Sequence, residues 1–242
     1  MRFSIITITY NAEKYLQKTL QSVVEQQFSS FEHIVWDGGS TDGTLEIIGA
    51  FPHVKLYQGK DVGISDAMNR GASFTQGEFL LHLHADDILA HAKALLFVDT
   101  ALKQHPEAKW LYGQANIIDE DGMIKETPHF QAYNYKRLKK YNCIAHPATF
   151  VSRELFLAQG GFDIGLRYAM DYDLWLRLGK TTPAFALRAV LSCFREHENS
   201  LSTACSVEVA KEAYFVRNRH LTSFIDRVRS YRTYKRRLRK CS

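Results

Sequence analysis

Long hydrophobic runs are missing from this 242-residue chain. No apolar stretch approaches the ~20 residues that a helix needs to cross a bilayer. The N-terminal run, 1–9, passes straight into patterned sequence and lacks the cleavage-site pattern of a secretory signal. The expectation is a cytoplasmic protein, at most peripheral on the cytoplasmic face of the inner membrane. Cysteine is scarce as well. Cys143, Cys193, Cys205 and Cys241 are widely spaced with no CxxC pair, which argues against a zinc site and, in the cytosol, against disulfides. Five prolines and fourteen glycines, with no low-complexity tract or internal repeat, exclude collagen-like and solenoid architectures.

What is present is ordinary globular composition. Hydrophobic residues make up 45% and charged residues 24%, enough for one sizeable core and too apolar for bulk disorder. The net charge of +5 is unevenly placed. Residues 227–240 carry eight Lys and Arg side chains and no acid, which leaves about −3 for the rest.

The run at 3–9, FSIITIT, is short, apolar and β-branched, as a buried parallel strand should be. Asn11 follows as the expected N-cap of a helix over 12–26, where Tyr15, Leu16, Leu20 and Val23 have helical spacing. The pattern repeats as strand 31–36, helix 44–50, strand 54–57, helix 64–73 and strand 78–83. Strands alternating with helices imply right-handed βαβ units and a mostly parallel sheet with helices on both faces. The second half is less regular. It predicts a helix over 91–104, a hairpin of 110–118 with 123–126, and helices over 152–159 and 171–178. One or two strands are expected in 185–194, then one long, increasingly basic helix from 207 onward.

In such sheets ligands bind beyond the carboxyl ends of the strands. Here those ends carry Thr9-Tyr10-Asn11, Asp37-Gly38-Gly39-Ser40 and Asp86-Asp87. Adjacent carboxylates repel each other unless a cation sits between them, and Mg²⁺ or Mn²⁺ often bridges such carboxylates to phosphates. The pair reads equally well as the cap of a helix beginning near Ile88. The turn from Asp37 to Thr44 lacks the Lys of a P-loop and the spacing of a dinucleotide fingerprint. A further cluster, 61–71, puts Asp66, Asn69 and Arg70 on one helix face, suited to a phosphate contact or to a plain surface ion pair.

With these motifs in order, the chain resembles a family 2 glycosyltransferase of the GT-A fold. The resemblance rests on Ile8-Thr9-Tyr10-Asn11, Asp37 to Thr44, Asp61 to Gly71, Gly77-Glu78-Phe79 and Ala85-Asp86-Asp87. It continues more loosely through His146 to Phe150, Gly160 to Asp163 and Met170 to Leu174. It implies a nucleotide site of Thr9, Tyr10, Asn11, Asp37, Gly39, Asp66, Asn69, Arg70 and Asp86. Asp87 would ligate Mn²⁺ or Mg²⁺, and Asp171 would be the general base of an inverting transfer. His146, Asp173 and His197 are candidate acceptor or diphosphate contacts, whereas His82 and His84 read as packed strand-end histidines. Two positions depart from the family pattern: Ala85 stands where many members have Asp, and Met170 where many have Glu. Asp171 is preferred over Asp173 as the base.

The resemblance implies a nucleotide-sugar donor, with UDP first among the nucleotides. It also implies a saccharide acceptor of lipid-linked type in cell-surface polysaccharide biosynthesis. The expected organisation is a GT-A domain over 1–205, with a nucleotide-sugar half (1–90) and an acceptor half (91–205), then a basic extension over 206–242. That extension suits an anionic membrane surface, and no nucleic acid partner is expected. The rivals are a nucleotidyltransferase of similar fold and a non-catalytic nucleotide- or sugar-binding module.

Overall fold

The computed structural model describes residues 1–198, 200 and 207–241. The elements are β1 (Phe3–Thr9), α1 (Glu13–Val24), β2 (Phe31–Asp37), α2 (Thr44–Gly49), β3 (Val54–Gln58), α3 (Ile64–Ser73) and β4 (Phe79–His82). There follow β5 (Ile88–Leu89), α4 (Ala94–Gln104), β6 (Trp110–Ile118), β7 (Ile124–Glu126), α5 (Tyr135–Leu138), a 3₁₀ turn (His146–Ala148) and β8 (Thr149–Ser152). The chain continues through α6 (Arg153–Ala158), α7 (Met170–Thr181), β9 (Phe185–Arg195), α8 (Val207–Arg219) and α9 (Phe224–Cys241).

One sheet runs in the order β3-β2-β1-β4-β8-β6-β9-β5, with β7 paired to β6. β1, β2, β3, β4, β6 and β9 share one direction; β5, β7 and β8 oppose it. The sheet is therefore mostly parallel, as the alternating pattern predicts. Its two faces follow from strand periodicity. Ile5, Leu81, Phe150 and Leu111 lie in register across four strands. They pack on α4 through Val98 and Leu102. Their neighbours Ile6, Leu80, Val151 and Trp110 face the other way, onto Met68 of α3 and Trp175 of α7. The Trp110 and Trp175 rings stack at 5.7 Å.

Several details depart from the sequence reading. Asn11 does not cap α1: the N-cap is Ala12, without a side-chain bond. Asn11 instead adopts φ 48°, a left-handed conformation that Asn tolerates. The Asp86-Asp87 pair caps no helix, because Ile88–Leu89 is a strand paired to β9 and α4 begins only at Ala94. β8 was not foreseen; it is a four-residue strand directly after the 3₁₀ turn. The region 185–194 forms one strand, with its register interrupted opposite Gly113. A Cβ on Gly113 would meet Leu191 at 2.6 Å and the Ala189 carbonyl at 2.8 Å, so glycine lets the two strands close there. The single helix expected from 207 is two helices, α8 and α9. The boundary expected at 205/206, with Cys205, lies outside the described residues.

Candidate active site

The parallel register puts Thr9 beside Asp37 and Asp37 beside Gln58, so three loops leave the sheet together. Asp37 is fully buried and accepts four hydrogen bonds. Its Oδ1 takes the Gly39 and Ser40 N–H groups at 3.0 and 2.9 Å. Its Oδ2 takes the Thr9 and Ser40 hydroxyls at 2.8 and 2.5 Å. Burial pushes the carboxyl up, but these bonds outweigh it and hold it below the ordinary aspartate value. Asn11 closes the same edge: its side-chain oxygen accepts the Thr41 N–H at 2.9 Å, and its own N–H donates to the Ser40 hydroxyl at 2.9 Å. Gly38 allows close approach, since a Cβ there would meet the Asp61 carboxylate at 2.9 Å. Asp61 in turn accepts the Trp36 indole N–H at 3.0 Å. Over this rigid edge Tyr10 stands 69% exposed, an open ring face at the mouth of the loops.

One strand further on, Asp86 and Asp87 form a turn held from several sides. The Thr19 hydroxyl lies 2.8 and 2.7 Å from the Ala85 and Asp87 carbonyls. The Arg195 N–H donates to Asp87 Oδ1 at 3.0 Å, and the Arg195 guanidinium donates to the Asp86 carbonyl at 3.0 Å. Asp86 Oδ2 meets His197 Nε2 at 2.9 Å. Burial, then the charge of Asp86, pushes the Asp87 carboxyl well above its ordinary value.

Asp86 and Asp87 line a cavity of about 290 Å³ together with His84, His146, Arg167 and Asp171. Asp171 sits in the first turn of α7. Its carboxylate accepts the Asn142 amide at 2.9 Å and the Tyr172 N–H at 2.6 Å. Burial raises its pKa to about 6 against the pull of those two bonds. The His146 ring lies 4.9 Å from His84, and burial keeps both imidazoles below their usual pKa, hence neutral at pH 7.

Residues 4–157 of this chain match the Glycosyl transferase family 2 profile. The chain belongs to glycosyl transferase family 2. A PGL/p-HBAD biosynthesis glycosyltransferase of Mycobacterium bovis is 31% identical over 220 residues, 86% of this chain and 82% of the relative. Chondroitin synthase of Escherichia coli is 26% identical over 88% of this chain, which spans 31% of that longer protein. Among solved structures, S. aureus TarS 1–349 in complex with UDP-GlcNAc superposes with TM-score 0.76 at 20% identity, covering 95% of this chain and 69% of TarS. A mannosyltransferase of Pyrobaculum calidifontis in complex with GDP-Man and Mn²⁺ gives TM-score 0.70 at 15% identity, covering 96% and 69%. The fold is that of GT-A glycosyltransferases.

In this glycosyltransferase no three His, Cys, Asp or Glu side chains among the described residues form a metal cage. The donor set at the strand end is the carboxylate pair alone. That suits Mg²⁺ or Mn²⁺, which commonly takes one or two carboxylates and completes its shell with water and substrate phosphate. The raised pKa of Asp87 comes first from burial and then from the neighbouring Asp86 carboxylate, and a bound cation would relieve both.

The remaining candidates of the glycosyltransferase divide. Asp66 and Arg70 form an i, i+4 ion pair at 2.8 Å, with the Arg70 guanidinium 5.5 Å from the ring centre of Trp36, the residue before Asp37. Asn69 is turned inward, exchanging hydrogen bonds with the Phe162 carbonyl and N–H at 2.8 and 2.9 Å. Asp173 lies away from the cavity, in an ion cluster with Arg177 at 2.7 Å, His220 at 3.5 Å and Arg219 at 3.7 Å.

Three supporting residues escaped the sequence reading. Arg195 is fully buried and also donates to the Asp119 and Glu120 carbonyls, at 2.8 and 2.9 Å. Asn142 orients the Asp171 carboxylate. Glu212 of α8 accepts the N–H groups of Arg167, Tyr168 and Ala169 at 3.0, 2.6 and 2.6 Å. Three successive N–H groups around one carboxylate make an anion nest just before α7, so α8 braces the wall that carries Asp171. Arg195 had a signal, a charge closing the run AVLSCF; the other two had none within the local sequence.

Proposed function

We propose that this glycosyltransferase moves a sugar from a nucleoside diphosphate donor to an acceptor hydroxyl with inversion at the anomeric carbon. The observation that carries the reading is the shared cavity. Asp86 and Asp87, from the first half of the chain, and Asp171, from the second, face one space. Asp86 and Asp87 form the adjacent pair suited to a cation, and Asp171, which stands apart from them on α7, is the carboxylate proposed to take a proton. A base with a pKa near 6 is ionised at pH 7 yet still basic enough to accept the acceptor's proton. As the hydroxyl oxygen attacks, its proton passes to Asp171 and the bond from the anomeric carbon to the diphosphate breaks. No covalent sugar–enzyme intermediate is required. The carboxylate pair would hold Mg²⁺ or Mn²⁺, whose charge favours the departing diphosphate.

The nucleotide edge is Thr9, Tyr10, Asn11, Asp37 and Gly39, with Asp66 and Arg70 beside it. Tyr10 offers the base a stacking face, and Asp37 sets the turn beneath it. UDP is the proposed nucleotide, because TarS, the neighbour with the highest TM-score of those compared above, holds UDP-GlcNAc. The acceptor is proposed to be a lipid-linked saccharide, a reading supported by relatives named for PGL/p-HBAD biosynthesis and for chondroitin synthesis. No helix among the described residues is long and apolar enough to cross a membrane. The outer face of α9, rich in Arg and Lys, is proposed to rest on an anionic membrane surface. The whole forms a GT-A unit over 1–205 with an extension over 206–242.

A thermal-shift panel of UDP, GDP, dTDP and CMP, each with and without Mn²⁺, tests the reading. UDP with Mn²⁺ at a hundredfold excess over Kd should stabilise the enzyme by ~2.7 kcal/mol. Asp87→Ala should abolish that shift. A folded sample unmoved by every nucleotide would overturn the assignment.

A further inference from the structure

A second cavity, of about 300 Å³, reaches Asp171 from the side of the C-terminal helices. It shares Asp171 and Tyr168 with the cavity that holds Asp86 and Asp87, so the base stands in the wall common to both. Beyond Asn142 its lining is aromatic and cationic, including Tyr214, Tyr234, Lys140, Arg217 and Arg237. Tyr214 and Tyr234 stack at 4.5 Å between ring centres. A third cavity, of about 700 Å³, continues from Lys140, Arg217 and Thr233 to Lys136, Lys139 and Arg229. Ser230, Thr233, Tyr234 and Arg237 recur at helical spacing, so one face of α9 walls both spaces.

The charge along this path is one-sided. It is lined by six cations and two carboxylates. One carboxylate is the base itself, and the other, Asp226, is paired with Arg229 at 3.6 Å. Arg217 is buried, and its guanidinium donates to the Ser230 hydroxyl, the Ser230 carbonyl and the Lys140 carbonyl, at 2.7, 2.9 and 2.8 Å. All three partners are neutral, and no carboxylate forms an ion pair with it among the described residues. A buried cation held by neutral oxygens keeps its field directed into the adjoining space. Tyrosine faces beside cations suit a sugar ring joined to a phosphate.

We propose that this path is the acceptor site, and that the acceptor is a saccharide bearing a phosphate group, its hydroxyl at Asp171 and its phosphate among Lys140, Arg217 and Arg237. The proposal rests on the reading of Asp171 as the base and adds the chemical class of what that base deprotonates. The anion-binding side chains come from α5's end, α8 and α9, so the extension contributes to substrate choice.

The test uses the full chain saturated with UDP and Mn²⁺. Calorimetry then compares glucose 1-phosphate, methyl glucoside and inorganic phosphate as probes. Glucose 1-phosphate should bind about tenfold more tightly than either of the others, the worth of one or two charge-assisted hydrogen bonds. The charge reversals Lys140→Glu and Arg237→Glu lie outside the core and should remove that preference while the UDP-induced thermal shift persists. Equal affinity for glucose 1-phosphate and methyl glucoside would overturn the proposal. So would a preference that survives both reversals, or inorganic phosphate binding as tightly as the sugar phosphate. Vesicles of phosphatidylglycerol and of phosphatidylcholine distinguish a lipid source. If the reversals release the enzyme from the anionic vesicles but leave glucose 1-phosphate bound, the path belongs to the membrane surface and the proposal fails. Failure of the underlying reading shows separately, as lost UDP binding in the unaltered enzyme or as normal transfer by Asp171→Asn.

Discussion

The side-chain amide of Asn142 donates to the carboxylate of Asp171 at 2.9 Å. The bond fixes the direction in which that carboxylate faces the cavity. It also favours the ionised form, opposing the burial that lifts the pKa to about 6.

The first prediction concerns pH. With Asp171 as the proposed base, transfer needs its ionised form, so kcat/KM should fall as pH drops through about 6. Asn142→Ala removes a bond that favours the charged form, so the acid limb should move to higher pH. A pH–rate profile of the two enzymes checks the direction.

Asp171 and its neighbour Asp173 should separate cleanly. Asp171→Asn should lower kcat by ~10²–10⁴-fold. The folded pKa of Asp171 is raised, so its contribution to stability is full below its unfolded value and is lost as pH rises through about 6. Neutral Asn should therefore stabilise the protein at pH 7, by up to ~2 kcal/mol.

Asp173→Asn should do the opposite. Burial raises the Asp173 carboxyl, but the bonds from His220 and Arg177 outweigh it and the net shift is down. Its contribution is present above the unfolded pKa and lost as pH falls through the lower folded value. The substitution should cost ~2 kcal/mol at pH 7 and progressively less in acid, with transfer little changed. Urea unfolding at several pH values, beside an activity assay, distinguishes the two residues.

Glu212→Ala leaves three backbone N–H groups without their acceptor. It should lower kcat and thermal stability together, the latter by ~1.5–3 kcal/mol, while UDP affinity holds. Glu212→Gln retains an acceptor oxygen and should restore much of kcat. Equal loss of kcat in both variants would argue against positioning through these bonds.

Arg195→Met leaves the partly buried carbonyls of Asp86, Asp119 and Glu120 without their donor. A fully buried acceptor left unpaired costs ~1–3 kcal/mol, and with water able to replace part of the loss here the variant should lose ~1–3 kcal/mol in all. Because the Asp86-Asp87 turn loosens with it, the Mn²⁺-dependent part of the UDP shift should shrink.

The first half of the fold was legible because its signals are local. β1 and β4 are apolar runs and β2 ends in one, each followed by a polar cluster, and the parallel sheet brings those ends to one edge. The second half depends on partners distant in the chain. β5 is two residues long and exists through its pairing with β9. β8 offers only four residues between the 3₁₀ turn and α6. Asn69 shares a helix face with Asp66 and Arg70, so its spacing suggested a ligand, yet its amide serves Phe162. Glu212 could not be foreseen, since its partners are backbone groups more than forty residues away. Arg195 presented as a charge at a strand end, where exposure is the ordinary expectation.

The distance in sequence between Asp87 and Arg195 also orders events during synthesis. The carboxylate pair leaves the ribosome 108 residues before the arginine that seats it. At ~5–20 residues per second the gap lasts ~5–20 s. For most of that interval β9 is unmade and β5 has no partner strand, and until its end the Asp86 carbonyl lacks its guanidinium. The nascent chain thus carries the acids of the proposed donor site without the frame that aims them, and that frame is complete only when the C-terminal half docks.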